Sequence, residues 1–192
     1  IGTENGVSKY DGKTLINYFS NRIDFKVYCI TQDRTGNIWF GSNVGIYKYD
    51  GKIFSQLTNT DVSLTISQCS IEEDKEGNIW IGTEKGAFRY DGHFIIHFTQ
   101  QEGLIYNEIT SIYVDSNGNI WFGTSFGLSK LPAKKLTHLS KRIHLKRFYK
   151  GEVFFRNYGY TDNFLGIGCS RNAIIESHDH RIWVGTNGGI TS

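Results

Sequence analysis

Several groups of side chains in this sequence are of types that can do chemistry. Three turns share the pattern Asp-x-x-Gly-Asn, at Asp33, Gly36 and Asn37, at Asp74, Gly77 and Asn78, and at Asp115, Gly118 and Asn119. A carboxylate and an amide in a tight turn invite comparison with a calcium loop, but one of each falls well short of the about six to eight oxygens calcium takes. His178 and His180 alternate across a hairpin tip, which could seat a transition metal only with a third ligand that the sequence does not supply. Cys29, Cys69 and Cys169 are odd in number and lack zinc-type spacing, so neither a disulfide framework nor a zinc site is expected. They read as small buried hydrophobes at or near the first strand of a repeat. Lys130, Lys134, Lys135, Lys141, Arg142, Lys146, Arg147 and Lys150 put eight positive charges and no acid into residues 130–150. A polyanion site would interleave aromatics with those charges, and only Phe148 and Tyr149 do so, which favours a solvated elaboration or partner-docking loop over nucleic acid. No cofactor and no metal are expected.

The elements that carry these residues are set by an internal repeat. Trp39, Trp80, Trp121 and Trp183 each close the same phrase, and the first three are 41 residues apart. In register with them run Ile30, Ile71, Ile112 and Ile174, the glycines Gly45, Gly86, Gly127 and Gly189, and Tyr-Asp-Gly at Tyr49, Asp50 and Gly51 and at Tyr90, Asp91 and Gly92. Ile1, Gly2 and Thr3, with Gly6 and with Tyr10, Asp11 and Gly12, are the tail of one more copy. A fixed period of about 40 residues is the mark of a modular array.

The stretches 94–98, 109–115, 119–124 and 127–131 are short, rich in β-branched and aromatic residues, and bounded by Gly, Asn or Asp, so they predict strands. Asp-Gly predicts a two-residue turn with positive φ at both positions, and Asp-x-x-Gly-Asn a type I turn closing on a left-handed glycine. Each copy is then four antiparallel strands, here called A to D, which is a propeller blade. The fold class is all-β: an arc of about four blades from a larger propeller. Residues 1–20 give strands C and D of a split blade, 21–58 and 59–99 a blade each, 100–158 a blade with the basic insertion at about 131–148, and 159–192 strands A and B of a final blade. From the glycine opening strand C to the glycine of the next turn there are 24 residues between 127 and 151, against six in the ordinary copies. Aromatics at 15%, 22 glycines and a single proline fit an all-β chain with many tight turns, and no apolar run approaches the about 18 to 20 residues of a membrane span. The chain has no methionine, so any signal peptide or anchor is expected to lie outside it.

Gly-Asn-Ile-Trp-Phe/Ile-Gly-Thr-x-x-Gly followed by Tyr-Asp-Gly, with Gly103-Leu104, resembles the two-component regulator propeller repeat. The last copy departs from it, with Ser177-His178-Asp179-His180-Arg181 in place of Asp-x-x-Gly-Asn. The resemblance implies an extracytoplasmic sensor propeller of a bacterial, Bacteroidetes-type, membrane histidine kinase, on the periplasmic or extracellular side of the inner membrane. It implies as partners the rest of its own propeller, a downstream membrane-anchored kinase and an oligosaccharide ligand, with a homodimer as a further arrangement and no nucleic acid.

A tryptophan at one place in every blade is expected to pack between blades, so Trp39, Trp80, Trp121 and Trp183 are scaffold. Ligand chemistry should sit where blades differ, in the B-to-C and D-to-A loops at one end of the channel. These carry Asn43, Glu84, Lys85, Ser125, Phe126 and Asn187 on the one hand, and Tyr106, Asn107, Arg171 and Asn172 on the other, with Arg22 and Thr65. Amides, hydroxyls and aromatic faces suit a polyhydroxylated ligand. Three classes compete: a sensor or ligand-binding module, a protein-interaction scaffold, and a propeller enzyme of lyase or sialidase type. The enzyme needs an acid/base or arginine cluster at the channel mouth, and none of the six histidines falls in the variable loops, so no catalytic residue is expected.

Overall fold

The computed structural model describes residues 1–19, 24–57, 66–136, 153–164 and 166–192. Their strands form five separate antiparallel sheets in chain order. The first holds β1 (Gly2–Thr3), β2 (Gly6–Tyr10) and β3 (Leu15–Tyr18). The second runs β4 (Val27–Gln32), β5 (Ile38–Ser42), β6 (Gly45–Tyr49) and β7 (Phe54–Gln56). The third runs β8 (Ser70–Glu73), β9 (Ile79–Thr83), β10 (Gly86–Tyr90) and β11 (Ile95–Phe98), and the fourth β12 (Ile109–Val114), β13 (Ile120–Thr124), β14 (Gly127–Leu131) and β15 (Arg156–Tyr158). The fifth holds β16 (Cys169–Glu176), β17 (Ile182–Thr186) and β18 (Gly189–Thr191).

This is an all-β partial propeller. Ile182 and Val184 pair with Glu176, Ile174 and Thr191 and not with β2, so among the described residues the last sheet does not close onto the first. Both terminal sheets carry a strand more than the sequence pattern gave. Gly2 and Thr3 pair with Val7 and Gly6 as the end of a strand B, and β18 supplies a strand C. The segments 20–23, 58–65 and 137–152, with most of the basic insertion, lie outside the described residues.

The first three indoles each pack against the following sheet. Trp39 joins Ile66, Cys69, Ile71 and Ile81; Trp80 joins Ile109, Ile112, Ile120 and Phe122; Trp121 joins Cys169, Ile174 and Val184. These three are 3%, 0% and 9% exposed, whereas Trp183 on the last sheet is 40% exposed. Burying an aromatic side chain of this size contributes on the order of 3 kcal/mol or more, and because each blade supplies one face of its neighbour's core, the array is held together pair by pair. The glycine two residues after each tryptophan makes the approach possible. A side chain on Gly82 would collide with Ile109, and one on Gly41 with the sulfurs of Cys29 and Cys69.

Those sulfurs overturn the expectation drawn from cysteine parity. Cys29 and Cys69 form a disulfide, with Cα atoms 5.8 Å apart and a separation of 40 positions in sequence. That spacing is nearly one repeat, so two cysteines remote in sequence meet across one blade interface. Cys169 is free and buried, and burial pushes its thiol up to about 11.

The Asp-Gly turns also differ from expectation. Tyr10 pairs with Leu15, leaving a four-residue loop in which only Gly12 has positive φ, at 96°. The Asp11 carboxylate accepts the backbone N–H groups of Lys13 and Thr14, and Asp50 and Asp91 do the same for Lys52 and Ile53 and for His93 and Phe94. The aspartate is there to accept hydrogen bonds, not to adopt a left-handed backbone.

Candidate functional site

The Asp-x-x-Gly-Asn turns have no carboxylate to spare for a cation. In the third sheet Oδ1 of Asp74 accepts the Glu76 and Asn78 backbone N–H groups at 3.0 and 2.8 Å, and Oδ2 accepts the Trp80 indole at 2.8 Å. Asp33 and Trp39, and Asp115 and Trp121, repeat the bond at 2.8 Å. Burial alone would raise Asp33, but bonds from Trp39, Asn37 and Thr35 outweigh it and hold the carboxyl at about 2. In the last copy Ser177 accepts the Trp183 indole at 3.0 Å, and His180 stands in the glycine's place with φ 62°.

These turns also tie one blade to the next. The Arg34 backbone N–H donates to Glu73 at 2.7 Å, and its guanidinium lies 3.1 Å from the same carboxylate and bonds the Asp74 carbonyl. The Ser116 N–H and hydroxyl each donate to Glu176 at 2.6 Å, and the His180 ring Nδ1 lies 2.8 Å from it. Serine, histidine and glutamate thus meet, but both partners sit on the same imidazole nitrogen, whereas a nucleophilic triad needs them on opposite nitrogens. A cavity of about 550 Å³ opens here among Arg34, Glu72, Glu73, Lys75, Tyr113 and Glu176. Glu73 and Glu176 are committed to interblade bonds, while burial raises Glu72 above the usual carboxylate range.

At the other end of the blades all five B-to-C turns share one construction. The hydroxyls of Thr3, Ser42, Thr83, Thr124 and Thr186 donate to the carbonyls of Gly6, Gly45, Gly86, Gly127 and Gly189 at 2.9–3.1 Å. Each such glycine has φ between 118° and 140°, a region open to glycine. The clamp leaves two positions per turn whose side chains the turn itself does not use.

The expected site residues divide by how much of them the scaffold consumes. Asn43 is fully engaged: its Oδ1 accepts the Lys26 N–H at 2.9 Å and its Nδ2 donates to the Asp24 carbonyl at 2.7 Å, tying two loops together. Asn107 accepts the Gln100 N–H at 2.8 Å within its own loop. Glu84 accepts the Ser67 N–H at 3.4 Å. Lys85 is exposed, and its carbonyl meets the His97 ring at 2.8 Å. Ser125 holds the Glu108 carbonyl through its N–H at 3.2 Å, and Asn187 holds that of Gly168 at 3.1 Å. Asn172 is exposed with φ 50°, taking the left-handed position in the bulge of β16. Arg22 and Thr65 lie outside the described residues.

Two groupings emerge. Tyr106 and Phe126 make an edge-to-face pair with centroids 4.7 Å apart, and the Phe126 ring is 54% exposed. The Arg171 guanidinium donates to Gln68 at 3.0 Å, and the buried Gln68 amide donates to Glu108 at 3.0 Å, so one polar chain crosses three sheets. Gln68 and Glu108 were missed from sequence. They stand at nearly equivalent places one repeat apart, Gln68 two residues and Glu108 one residue before a strand A, where side chains of neighbouring blades converge.

Comparison with known proteins agrees with this construction. The family model described as "Two component regulator propeller" matches residues 26–44, 62–85 and 103–126. Among solved structures the chain is similar to the extracellular domain of the hybrid two component system BT3049 from B. thetaiotaomicron, at 19% identity and TM-score 0.60, covering 98% of this chain and 31% of that one. It is similar to PorZ of the Porphyromonas gingivalis type-IX secretion system, at 18% identity and TM-score 0.69, covering 98% and 30%. It also resembles virginiamycin B lyase from Staphylococcus aureus, at 19% identity and TM-score 0.66, covering 98% and 62%. No curated protein sequence matches it. The chain spans about a third of the length of the first two, and at these identities the likenesses speak for the fold. Three of the five sheets of this propeller arc thus carry a stretch that matches the two-component regulator propeller repeat.

Proposed function

We propose that this chain is a non-enzymatic, ligand-sensing segment of an extracytoplasmic propeller that reports to a membrane-anchored kinase. The observation that carries the reading is the pairing of half-buried Tyr106 with exposed Phe126, set on loops whose backbone is fixed by hydrogen bonds in a propeller that carries two-component regulator repeats. Aromatic faces beside hydrogen-bonding groups suit an oligosaccharide, whose ring faces stack and whose hydroxyls pair. The Cys29–Cys69 disulfide supports an oxidising compartment, since such bonds persist outside the cytosol. No helix among the described residues is long and apolar enough to cross a membrane.

An enzyme reading finds its nearest support in the lyase likeness and in the carboxylate-lined cavity around Glu72. Most of those carboxylates are committed to turns and interblade bonds, which favours the sensor. Calorimetric titration of the intact protein with a panel of oligosaccharides tests this. Binding that Phe126→Ala weakens by about 1 to 3 kcal/mol is expected, the scale of removing a stacked aromatic. Turnover of a glycan, or no binding across the panel, would defeat the reading.

A further inference from the structure

A second group of apolar side chains lies beside Phe126. A cavity of about 460 Å³ is lined by Phe126, Gly127, Gly159, Tyr160, Phe164, Gly166 and Ile167. Tyr160 is 91% exposed and Ile167 71%, although both stand on the connection between the fourth and fifth sheets and not at an open end of the arc. The loop that presents Tyr160 is firm. Tyr160–Asp162 form a 3-10 turn in which the Gly159 N–H donates to the Asp162 carboxylate at 3.0 Å, the Asp162 N–H donates back to the Gly159 carbonyl at 2.9 Å, and Phe164 is buried beneath. The corresponding connection one blade earlier has the same build, with the Thr99 N–H on Glu102 at 2.8 Å and Leu104 buried. That loop carries Gln100 where this one carries Tyr160, so the turn does not need an aromatic there.

We propose that this slot is a subsite for one uncharged sugar ring, held with its apolar face between Phe126, Tyr160 and Ile167. The proposal rests on the sensor reading above and gives it a ligand class. Among the described residues no charged side chain lines the slot, so a carboxylated or sulfated ring would be desolvated there without a counter-charge. Gly127, Gly159 and Gly166 also line the slot and add no side chain to it. A sugar ring has one apolar face and a polar rim, matching apolar walls that carry only the phenol hydroxyl of Tyr160 at their edge.

The test titrates the intact protein, and its Y160A, I167S and Y106A variants, with neutral hexose oligosaccharides and with uronic-acid oligosaccharides of equal length. Saturation-transfer NMR supplies a second readout through the aromatic protons. Neutral oligosaccharides are expected to bind, with Y160A and I167S each weakening affinity at least tenfold, Y160F retaining it within about threefold, and thermal melting unchanged in all. Preference for the uronates would overturn the neutral-ring assignment. Neutral binding that survives Y160A and I167S but falls in Y106A would sink the slot and leave the sensor reading standing. Absence of binding by both classes would sink the two together.

Discussion

Asp74 and Trp80 are joined by a 2.8 Å bond from the indole N–H to a carboxylate that three other donor groups already reach, and both residues are buried. The aspartate folds its turn and aims the tryptophan into the neighbouring blade. Removing it strands several buried donors at once. Asp74→Ala is therefore expected to lower unfolding free energy by about 2 to 3 kcal/mol, measured by urea denaturation, whereas a calcium titration should leave the melting temperature where it was.

Trp121 and Trp183 occupy the same repeat position in different surroundings, 9% and 40% exposed. Trp121→Ala should cost about 3 to 5 kcal/mol through lost packing and residual cavity, and Trp183→Ala less than half of that. Should Trp121→Ala keep native stability yet abolish ligand binding, the tryptophans would be ligand platforms and their assignment to the scaffold would be wrong.

The blade plan was legible because its signals are local and repeated: the tryptophan phrase, the strand-forming runs 109–115 and 127–131, and the left-handed glycines at Gly36, Gly77 and Gly118 that close the type I turns. What escaped was interblade. Cys29 and Cys69, Arg34 and Glu73, and Gln68 with Glu108 and Arg171 meet only once sheets stack, and no spacing rule for a single element reports that. Among the candidate site residues, exposed Phe126 looked in sequence much as it stands in the structure. Asn43 did not, because a side chain that crosslinks two loops and one that awaits a ligand are the same amide on paper.

That distinction changes what Asn107 should do. Its carboxamide oxygen accepts the Gln100 N–H at 2.8 Å, so Asn107→Ala is expected to lower the melting temperature by a few degrees as well as weaken ligand binding. Phe126→Ala should weaken binding alone. Thermal melts run beside calorimetry separate the two, and a melt of Asn107→Ala that overlays the parent would show that the loop stands without its amide.

The disulfide makes a redox prediction. It closes a loop of 40 residues, and by chain-entropy reasoning its removal costs about 2 to 4 kcal/mol. Paired Cys29→Ser and Cys69→Ser substitutions should reproduce the melt of the reduced parent, and added reductant should then have no further effect. A parent melt indifferent to reductant would show that the blade interface holds without the bond.

Glu176 gives the pH dependence. Bonds from the Ser116 hydroxyl, His180 and the Ser116 N–H hold its carboxyl at about 2, below the 4.5 of the free side chain. A depressed carboxyl stabilises the fold above its unfolded value and loses that contribution as pH falls from about 4.5 towards 2. Melting temperature should drop over that window, and the drop should shrink in Glu176→Gln. Identical pH profiles for the two proteins would rule out this contact as a source of acid sensitivity.

The five hydroxyl-to-glycine clamps separate what a blade must encode to fold from what it is free to say. Glu4 and Asn5, Asn43 and Val44, Glu84 and Lys85, Ser125 and Phe126, and Asn187 and Gly188 stand at equivalent places on one backbone form. Save where a side chain such as Asn43 has been drafted into bracing a neighbouring loop, those dipeptides can be exchanged between blades like characters in a fixed typeface. Such a surface can drift through many specificities while the melting point stays still, and its vocabulary is then limited by the number of blades and not by the stability of any one.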